Sequence, residues 1–420
     1  MSQKQIPFLT ALLLFALQIF AGAESLYMGN VESVYSKSRF NAIRNPALMS
    51  MQVPENTLGV LLVYNAFSGQ DVSSEFDIDS IDNESSETDI KDLLSGSVYL
   101  SWSAKFGKSA LGFGVISGPE NQYVTKRNSG TVTGITAVPE DYRVENKEEI
   151  KSLNPAAAFS VSRETGKNSA IGFQLITGYS WEETRSSEYQ YLNMVLQSRK
   201  RETLLLRTWF AELRGGYCHR EGPVETGILI SSGAMCIQDS EIDYYNSTMV
   251  PVDGSSHTTP HFQNRSGASI TAGGFIKFTP ALGLALEGRY ALPASYGKKI
   301  FIESDYTVHK VMINSEPFFS LSCGIEYVLS PVVTLSVGGS YGLLSTFIEN
   351  KDGGSNRNDI SIFFVSAGVD IAISKKTSLT AGIQMTGVSY TSTIQHFSLS
   401  AESEVEQHII TAILGMSLGF

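Results

Sequence analysis

The joins between the amphipathic segments of this chain are alternately short and long, and this rhythm restricts its fold more than any other feature. After residue 56, about fourteen segments of alternating polarity follow one another. Short joins lie at 107–109, 164–167, 219–222, 279–281, 330–331 and 374–376, and the longest polar connections cover 68–94, 119–153 and 238–264. An even number of two-faced strands, with turns at one end and loops at the other, is typical of a transmembrane β-barrel. We therefore predict an all-β antiparallel barrel of about 14 strands, because a closed sheet leaves no unpaired edge in the membrane.

Segment 97–106 has the clearest alternation. Side chains in a strand alternate with a period of two residues, so one set meets lipid and the other faces the lumen. The predicted lipid-facing set is Val98, Leu100, Trp102, Ala104 and Phe106, and the lumen-facing set is Tyr99, Ser101, Ser103 and Lys105. The same pattern predicts strands at about 57–67, 95–106, 109–118, 154–163, 168–180, 203–218, 223–237, 265–278, 282–292, 317–329, 332–345, 359–373, 377–390 and 407–420.

Residues 1–23 are predicted to be a secretory signal peptide. Lys4 gives a short basic start, 6–20 is almost entirely apolar, and Ala-Gly-Ala at 21–23 fits a small-residue cleavage site. Together with the strand pattern, this predicts a multi-pass protein of the bacterial outer membrane whose barrel covers 57–420. The chain has 42 acidic and 31 basic residues, and its net charge of −11 argues against nucleic acid as a partner.

The last predicted strand ends in an aromatic residue, Phe420, which shares a face with other apolar side chains of that strand. Such an ending resembles the signal read by the outer-membrane insertion machinery. This machinery and the outer-membrane lipid are therefore predicted partners. In barrels of this class the short turns face the periplasm, so we expect periplasmic termini and extracellular long loops.

Residues 24–56 do not fit the strand pattern. A barrel of about fourteen strands has a lumen too wide for side chains alone to fill, so we predict that 24–56 forms an N-terminal plug, or hatch, inside it. Asn45-Pro46-Ala47 suits a compact kink, because Pro46 fixes its backbone and Asn45 can cap or turn the chain. An ordinary turn before the first strand is the alternative.

Through Asn45-Pro46-Ala47, the strand count and the terminal Phe420, most of the chain after residue 23 resembles the FadL/TodX family of outer-membrane transporters of long-chain fatty acids and other hydrophobic compounds. The resemblance implies a fourteen-stranded barrel whose N-terminal hatch carries the Asn-Pro-Ala motif. It also implies passive uptake of hydrophobic small molecules, with long-chain fatty acids as the expected ligand. The implied steps are capture among the outer loops, movement of the plug, and lateral release through the wall.

Several charged side chains are predicted to face the lumen. Because charges in a confined lumen need partners, we hypothesise that the plug residues Arg39 and Arg44 form ion pairs with Glu287, Glu326 or Asp370. A water-filled lumen without specific pairs is the alternative.

Apolar residues in the predicted outer loop at 189–196 form a candidate capture groove for the ligand. Local packing within the loop is the alternative. The candidate capture residues are Tyr189, Tyr191, Leu192, Met194, Val195 and Leu196.

The sequence gives no sign of an enzyme. Residues 338–342 match the Gly-x-Ser-x-Gly pattern, but that chemistry needs a strand-to-helix turn and this match lies inside a predicted strand. His257 and His261 lack a third ligand, so no metal site is expected, and no cofactor is implied. Two other functions stay open: a surface adhesin or antigen barrel that binds host molecules, and a porin for polar solutes.

Overall fold

The computed structural model describes residues 33–34, 41–51, 56–76, 81–117, 119–133, 139–192, 195–246, 252–257, 261–264, 266–302, 307–349, 355–396 and 399–420. The predicted signal peptide at 1–23 lies outside these residues. No helix in the described ranges is long and apolar enough to cross a membrane.

Two short 3-10 helices, Asn41–Ile43 and Pro46–Met51, precede the strands. The strands are β1 (Asn56–Phe76), β2 (Ile81–Phe106), β3 (Ser109–Ser117), β4 (Pro119–Thr133), β5 (Pro139–Leu153), β6 (Ala156–Glu164), β7 (Ser169–Leu192), β8 (Val195–Glu221), β9 (Val224–Ser231), β10 (Met235–Asn246), β11 (Val252–His257), β12 (His261–Asn264), β13 (Ser269–Lys277), β14 (Leu282–Ala291), β15 (Ser295–Ile302), β16 (Thr307–Ser315), β17 (Phe318–Val328), β18 (Val333–Glu349), β19 (Ser355–Ala372), β20 (Thr377–His396) and β21 (Leu399–Gly419).

The sheet closes on itself. β1 pairs with β21 in antiparallel register, from Thr57 opposite Gly419 to Phe76 opposite Ala401. Strands that continue one another along the wall, such as β3 with β4 or β9 with β10, form one barrel strand, and the barrel has 14 of these. The predicted all-β antiparallel barrel and its strand number are therefore confirmed.

The two faces of the wall follow the predicted alternation. On β2, Leu100 and Trp102 are 42% and 37% exposed on the outside, whereas Tyr99 and Ser101 are 3% and 1% exposed. This arrangement is the one expected in lipid, because apolar side chains are stable in contact with hydrocarbon. The face assignment is confirmed for Leu100, Trp102, Tyr99 and Ser101, whereas Ala104, which was also predicted to face lipid, is only 6% exposed.

The connections predicted as long polar loops are largely strand. Much of 68–94 belongs to β1 and β2, which run to Phe76 and start again at Ile81, and most of 119–153 forms the antiparallel pair β4 and β5. The prediction of loops was wrong here because a polar segment can also form a strand. Once a strand leaves the membrane, its backbone still gains hydrogen bonds from its neighbour, although its side chains no longer need to be apolar.

Short turns join the strands at one rim of the barrel. β2 and β3 pair from Phe106 opposite Ser109, which leaves two residues in the turn. Gly107 there has a φ of 62°, and Gly222 in the β8–β9 turn has a φ of 58°. Glycine adopts this left-handed conformation without the steric cost that other residues meet. The last residues of the chain lie at the same rim, where the Phe420 amide donates to the Asn56 carbonyl at 3.1 Å.

Four barrel strands are interrupted at one height. Ser231, the last residue of β9, lies opposite Ser269 at the start of β13, and Ser269 also lies opposite Ala291 at the end of β14. Ala291 in turn lies opposite Phe318 at the start of β17. The regular wall between the turns and this row is therefore formed here by β9, β13, β14 and β17, and β14 carries the inward Glu287 and Arg289 described below.

Candidate functional site in the barrel interior

The N-terminal residues that the structure describes, 33–34 and 41–51, lie against the inner face of the barrel. We call these residues the inner segment. The Ala42 carbonyl accepts hydrogen bonds from the Ser160 hydroxyl at 2.7 Å and from the Gln174 amide at 2.8 Å, and all of these atoms are buried. Because Ser160 and Gln174 belong to β6 and β7, the segment is bonded directly to two adjacent strands of the wall.

Asn45-Pro46-Ala47 begins the second 3-10 helix and anchors it to the wall. The Asn45 side-chain oxygen accepts a hydrogen bond from the Ala47 amide at 3.1 Å, which is the contact of a helix N-cap. Pro46 is the first helical residue, where a missing N–H costs nothing. The Asn45 amide group donates to the Ser33 carbonyl at 2.9 Å and lies 3.4 Å from the carbonyls of Tyr217 and Ile228, a cross-strand pair of β8 and β9.

Glycines of the wall make room for the inner segment. A Cβ added to Gly216 would lie 1.9 Å from the Asn45 side-chain oxygen, and one added to Gly172 would lie 2.5 Å from the Ala47 nitrogen. A Cβ at Gly114 would meet the Ile43 side chain at 2.0 Å. These strands accept glycine, which is unfavourable in a strand interior, because another part of the chain approaches closely.

Ser33 and Val34 attach the inner segment at a second place. The Ser33 amide and hydroxyl donate to one oxygen of the Glu287 carboxylate, at 2.6 and 2.5 Å. Val34 is fully buried against Phe275 and Ala285. Two hydrogen bonds to an ionised acceptor are stronger than neutral ones, so Glu287 on β14 is a major anchor of this part of the chain.

The residues of the predicted ion pairs lie inside the barrel where the structure describes them. Arg44 is fully buried, Glu326 is 2% exposed, and Asp370 accepts a hydrogen bond from Thr380. Glu287 receives the donors of Ser33, a role that the sequence did not suggest. Arg39 lies outside the described residues. The pairing of either arginine with these carboxylates stays a prediction.

One sector of the inner surface is charged. On β8, the Arg214 guanidinium donates to the Glu212 carboxylate at 2.6 Å, and the Ser231 hydroxyl on β9 donates to the same oxygen at 2.6 Å. The two charged side chains are only 5% and 10% exposed. With Glu287 and Arg289 on β14, they make the β8–β14 sector polar.

The neighbouring sector of the inner surface, beyond β17, is apolar. Its side chains come from β18 to β21 and pack together: Leu344, Ile360, Ile362, Phe364, Val388, Tyr390 and Ile409, with Phe318 of β17 alongside. A second apolar group joins Ile43 of the inner segment to inward side chains of the neighbouring strands, including Leu61, Ile176 and Ile413. The sequence analysis missed this lining, although the run 362–365 is apolar on both faces of its strand, which lipid alone does not require.

A recess lies where the two sectors meet. Its residues occupy two adjacent rows of the sheet, Thr271–Arg289–Ser320–Gly342–Ile362 and Glu287–Ser322–Ser340–Phe364. The small residues of β17 and β18 form its floor, and larger side chains rise on either side. The resulting cavity measures about 50 Å³ and is also lined by Phe318. The Gly-x-Ser-x-Gly match lies within β18, as predicted, and supplies two of these small residues.

The candidate capture residues lie on the long β7–β8 hairpin rather than in a loop. Tyr189 pairs with Arg199 across the hairpin, and its ring is flanked by Lys147 at 5.5 Å and by Arg199 at 5.3 Å. The ring of Tyr191 lies 5.9 Å from the Arg143 guanidinium. Leu196 is 48% exposed, and Met194 lies outside the described residues. The tyrosines share the parity of the lipid-facing side chains of β7, so they point away from the lumen axis, and their role in capture stays a prediction.

Together, a closed antiparallel barrel of fourteen strands and an N-terminal segment bonded to its inner face define a class of protein: a membrane-type β-barrel whose interior holds part of its own chain. Among solved structures, the chain has the fold of the FadL/TodX-type barrels. It matches the P. putida toluene transporter TodX with a TM-score of 0.62 at 12% identity, over 96% of this chain and 99% of that one.

Two further solved structures match over similar lengths. The Ralstonia pickettii toluene transporter TbuX gives a TM-score of 0.60 at 12% identity, covering 96% of this chain and 99% of that one. A Pseudomonas aeruginosa FadL homologue gives 0.60 at 10% identity, covering 95% and 98%. No protein-family model and no curated protein matches the sequence. The resemblance inferred from the sequence is confirmed at the level of the fold.

Proposed function

We propose that the protein is a channel of the bacterial outer membrane for passive uptake of hydrophobic small molecules. The observation that carries this proposal is the apolar lining of β18 to β21. A hydrophobic molecule loses about 0.8 kcal/mol for each methylene that it must place in water. A hydrophobic molecule meets this cost in a water-filled pore, whereas an apolar wall along the lumen reduces it. The solved structures of the same fold include toluene transporters, which agrees with cargo of this kind.

In this proposal residues 24–56 act as a plug that holds the passage closed. Its support is the bonding of Ala42 and Asn45 to the wall and the burial of Ala47, Leu48 and Met49 at 1% exposure or less. Opening requires the plug to shift, because its glycine contacts leave no space between it and the strands.

Long-chain fatty acids are the proposed cargo, taken up without cofactor or energy source. Capture on the 189–196 hairpin and lateral release through the wall complete the proposed route. Short turns and termini facing the periplasm, and recognition of Phe420 by the insertion machinery, complete the proposed topology.

Binding by the detergent-solubilised, refolded protein tests the function. We expect saturable binding of a radiolabelled long-chain fatty acid, and fatty acid that co-purifies with protein extracted from membranes. Binding that survives disruption of 189–196 would remove the capture site and leave the channel in place. Large, steady single-channel conductance without fatty acid binding would favour a polar-solute porin. Host-ligand binding that survives deletion of the plug would favour an adhesin.

A further inference from the structure

Beyond the membrane, β5, β7 and β8 form a continuous sheet whose outer surface is basic. Lys147 lies opposite Ser187, and Ser187 lies opposite Arg201, so all three share the parity of the lipid-facing side chains. Arg143 and Arg199 have the same parity, and we call Arg143, Lys147, Arg199 and Arg201 the basic face. The whole chain carries a net charge of −11, so a group of four cations on one surface is a local exception.

One carboxylate lies within the basic face. Glu145 is 8% exposed, and its oxygens lie 3.7 Å from the Arg143 guanidinium and 3.3 Å from the Lys147 ammonium. Arg201 is exposed, and no ion pair joins it to another residue in the described ranges. Because one carboxylate cannot neutralise four cations, the basic face keeps a positive charge.

Two tyrosine rings restrain these cations. The centre of the Tyr189 ring lies 5.5 Å from the Lys147 ammonium and 5.3 Å from the Arg199 guanidinium, and the Tyr191 ring lies 5.9 Å from Arg143. Such contacts restrict the side chains without cancelling their charge. Because cations already contact the rings, the tyrosines are not open platforms for the base stacking by which proteins bind single-stranded nucleic acids.

The basic face lies well above the membrane. Trp209 is 62% exposed and its ring lies 4.6 Å from that of Tyr179, a pair typical of the aromatic girdle at the membrane interface. Ser187, opposite Lys147, is eight residues beyond Tyr179 on β7. At about 3.3 Å per residue and a strand tilt of about 40°, this places Lys147 roughly 20 Å above the girdle. Exposed charges are screened beyond about 8 Å at physiological ionic strength, so lipid head groups of the same membrane are out of reach.

The spacing of the cations favours a polymer over a small ion. Lys147 and Arg201 are two strands apart, or about 10 Å, and Arg143 is four residues from Lys147, or about 13 Å along β5. No single phosphate or sulfate spans these distances, and one exposed ion pair contributes little by itself. A chain with an anionic group on each of several repeating units contacts all four cations, and every contact after the first is intramolecular.

We propose that the basic face binds a sulfated polysaccharide of a cell surface, whose sulfate groups pair with the four cations. The guanidinium groups of Arg143, Arg199 and Arg201 suit such oxyanions, because each can donate two parallel hydrogen bonds. The inference is independent of the proposed uptake function, since the basic face lies on the outside of the barrel wall and the uptake route lies in the lumen. With the proposed topology, the polysaccharide approaches from outside the cell.

Binding of heparin, a soluble sulfated polysaccharide, tests the proposal. Refolded protein in a neutral detergent is titrated calorimetrically with heparin and with chemically desulfated heparin, at low and at physiological salt. We expect heparin to bind, and its affinity to fall as the salt concentration rises, because the charges are exposed and screened. Desulfated heparin should bind at least roughly tenfold more weakly, since several ion pairs are lost together.

Arg201→Gln and Lys200→Gln form a matched pair. The two residues are neighbours on β8 and each change removes one positive charge, but Lys200 points to the opposite face, where its ammonium lies 3.5 Å from Glu188. Arg201→Gln should weaken heparin binding roughly two- to fivefold, and Lys200→Gln should leave it unchanged. Combining Lys147→Gln with Arg201→Gln should weaken it about tenfold, because the two positions share no partner. Heat-modifiable migration on a gel verifies that each variant is folded.

Several results would overturn the inference. The unaltered protein must bind heparin at low salt, and it must bind desulfated heparin more weakly; failure of either ends the proposal. Equal losses in Arg201→Gln and Lys200→Gln would show that the basic face is not the binding surface. A single-stranded DNA that binds as tightly as heparin would mean that the surface accepts any polyanion and would remove the assignment to sulfated polysaccharide. None of these results bears on uptake, which fatty acid binding by the same preparation measures separately.

Discussion

Gly216 and Gly215 are neighbours on β8, and they provide a matched test of whether the inner segment closes the lumen. A Cβ at Gly216 would lie 1.9 Å from the Asn45 side-chain oxygen, against 3.4 Å or more for an ordinary contact, so that oxygen must retreat by about 1.5 Å. A Cβ at Gly215 points to the lipid side and meets only the Phe173 ring, at 3.9 Å. The two alanine variants thus add the same methyl group on opposite faces of one strand.

The cost of Gly216→Ala follows from the contacts that Asn45 gives up. A shift of this size breaks its bonds to the Ala47 amide at 3.1 Å and to the Ser33 carbonyl at 2.9 Å. Each bond contributes about 0.5–1.5 kcal/mol, and buried groups left without partners add to the loss, so docking of the segment weakens by roughly 2–4 kcal/mol. Because 1.4 kcal/mol is a factor of ten, the population with a displaced segment should rise more than about tenfold.

Planar-bilayer conductance and thermal unfolding measure this effect. Gly216→Ala should show more frequent or larger openings and a lower unfolding midpoint than the unaltered protein. Gly215→Ala should match the unaltered protein or be slightly more stable, because alanine is better than glycine in a strand interior. If the two variants have the same conductance and the same unfolding midpoint, the inner segment is not held as we describe and does not close the lumen.

Further predictions concern the faces of β17 and the anchor on β14. Leu321→Arg should destabilise the folded barrel in a bilayer by roughly 2–4 kcal/mol, because Leu321 faces lipid and is 56% exposed, and equilibrium refolding in urea measures the loss. Ser322→Arg should cost less than about half as much, because it enters the lumen opposite Glu287; equal losses would mean that the faces are misassigned. Glu287→Gln should weaken docking of Ser33 by roughly 1–2 kcal/mol, the difference between a charged and a neutral acceptor. Faster proteolysis of the N-terminal region than in the unaltered protein would reveal this, and an unchanged rate would contradict it. A lipid-soluble maleimide should label Cys323, which is exposed, and spare the buried Cys218; labelling of Cys218 in the folded protein would contradict its burial.

The sequence predicted the barrel because lipid imposes a simple rule on each strand. Leu100 and Ser101 could be assigned to opposite faces from period-two alternation alone, and the short joins marked the rim with the turns. The same rule failed above the membrane, where β4 and β5 extend through a stretch expected to be loop. Hydropathy does not reveal these two strands, since their pairing continues through backbone hydrogen bonds while both of their faces are polar.

The inner segment could be anticipated only in part. Asn45-Pro46-Ala47 indicated a kink, and the structure has an N-capped 3-10 helix at that place. The sequence could not indicate that Asn45 reaches the β8–β9 pair, because glycine at 216 looks the same whether it permits a bend or a close approach. The partner of Glu287 was also unpredictable, since Ser33 lies 254 residues away along the chain.

What the sequence determined by itself is therefore local: the alternation of each strand, the positions of the tight turns, and the presence of a leading segment that fits no strand. Only the tertiary structure decided the register that places Arg289 in line with Ser320, Gly342 and Ile362. Each strand must separately place its apolar side chains towards the lipid, so its own residues suffice to predict its two faces. A recess formed by five strands depends on the relative shift of every neighbouring pair, and that shift is set only when the sheet closes and the inner segment packs against it.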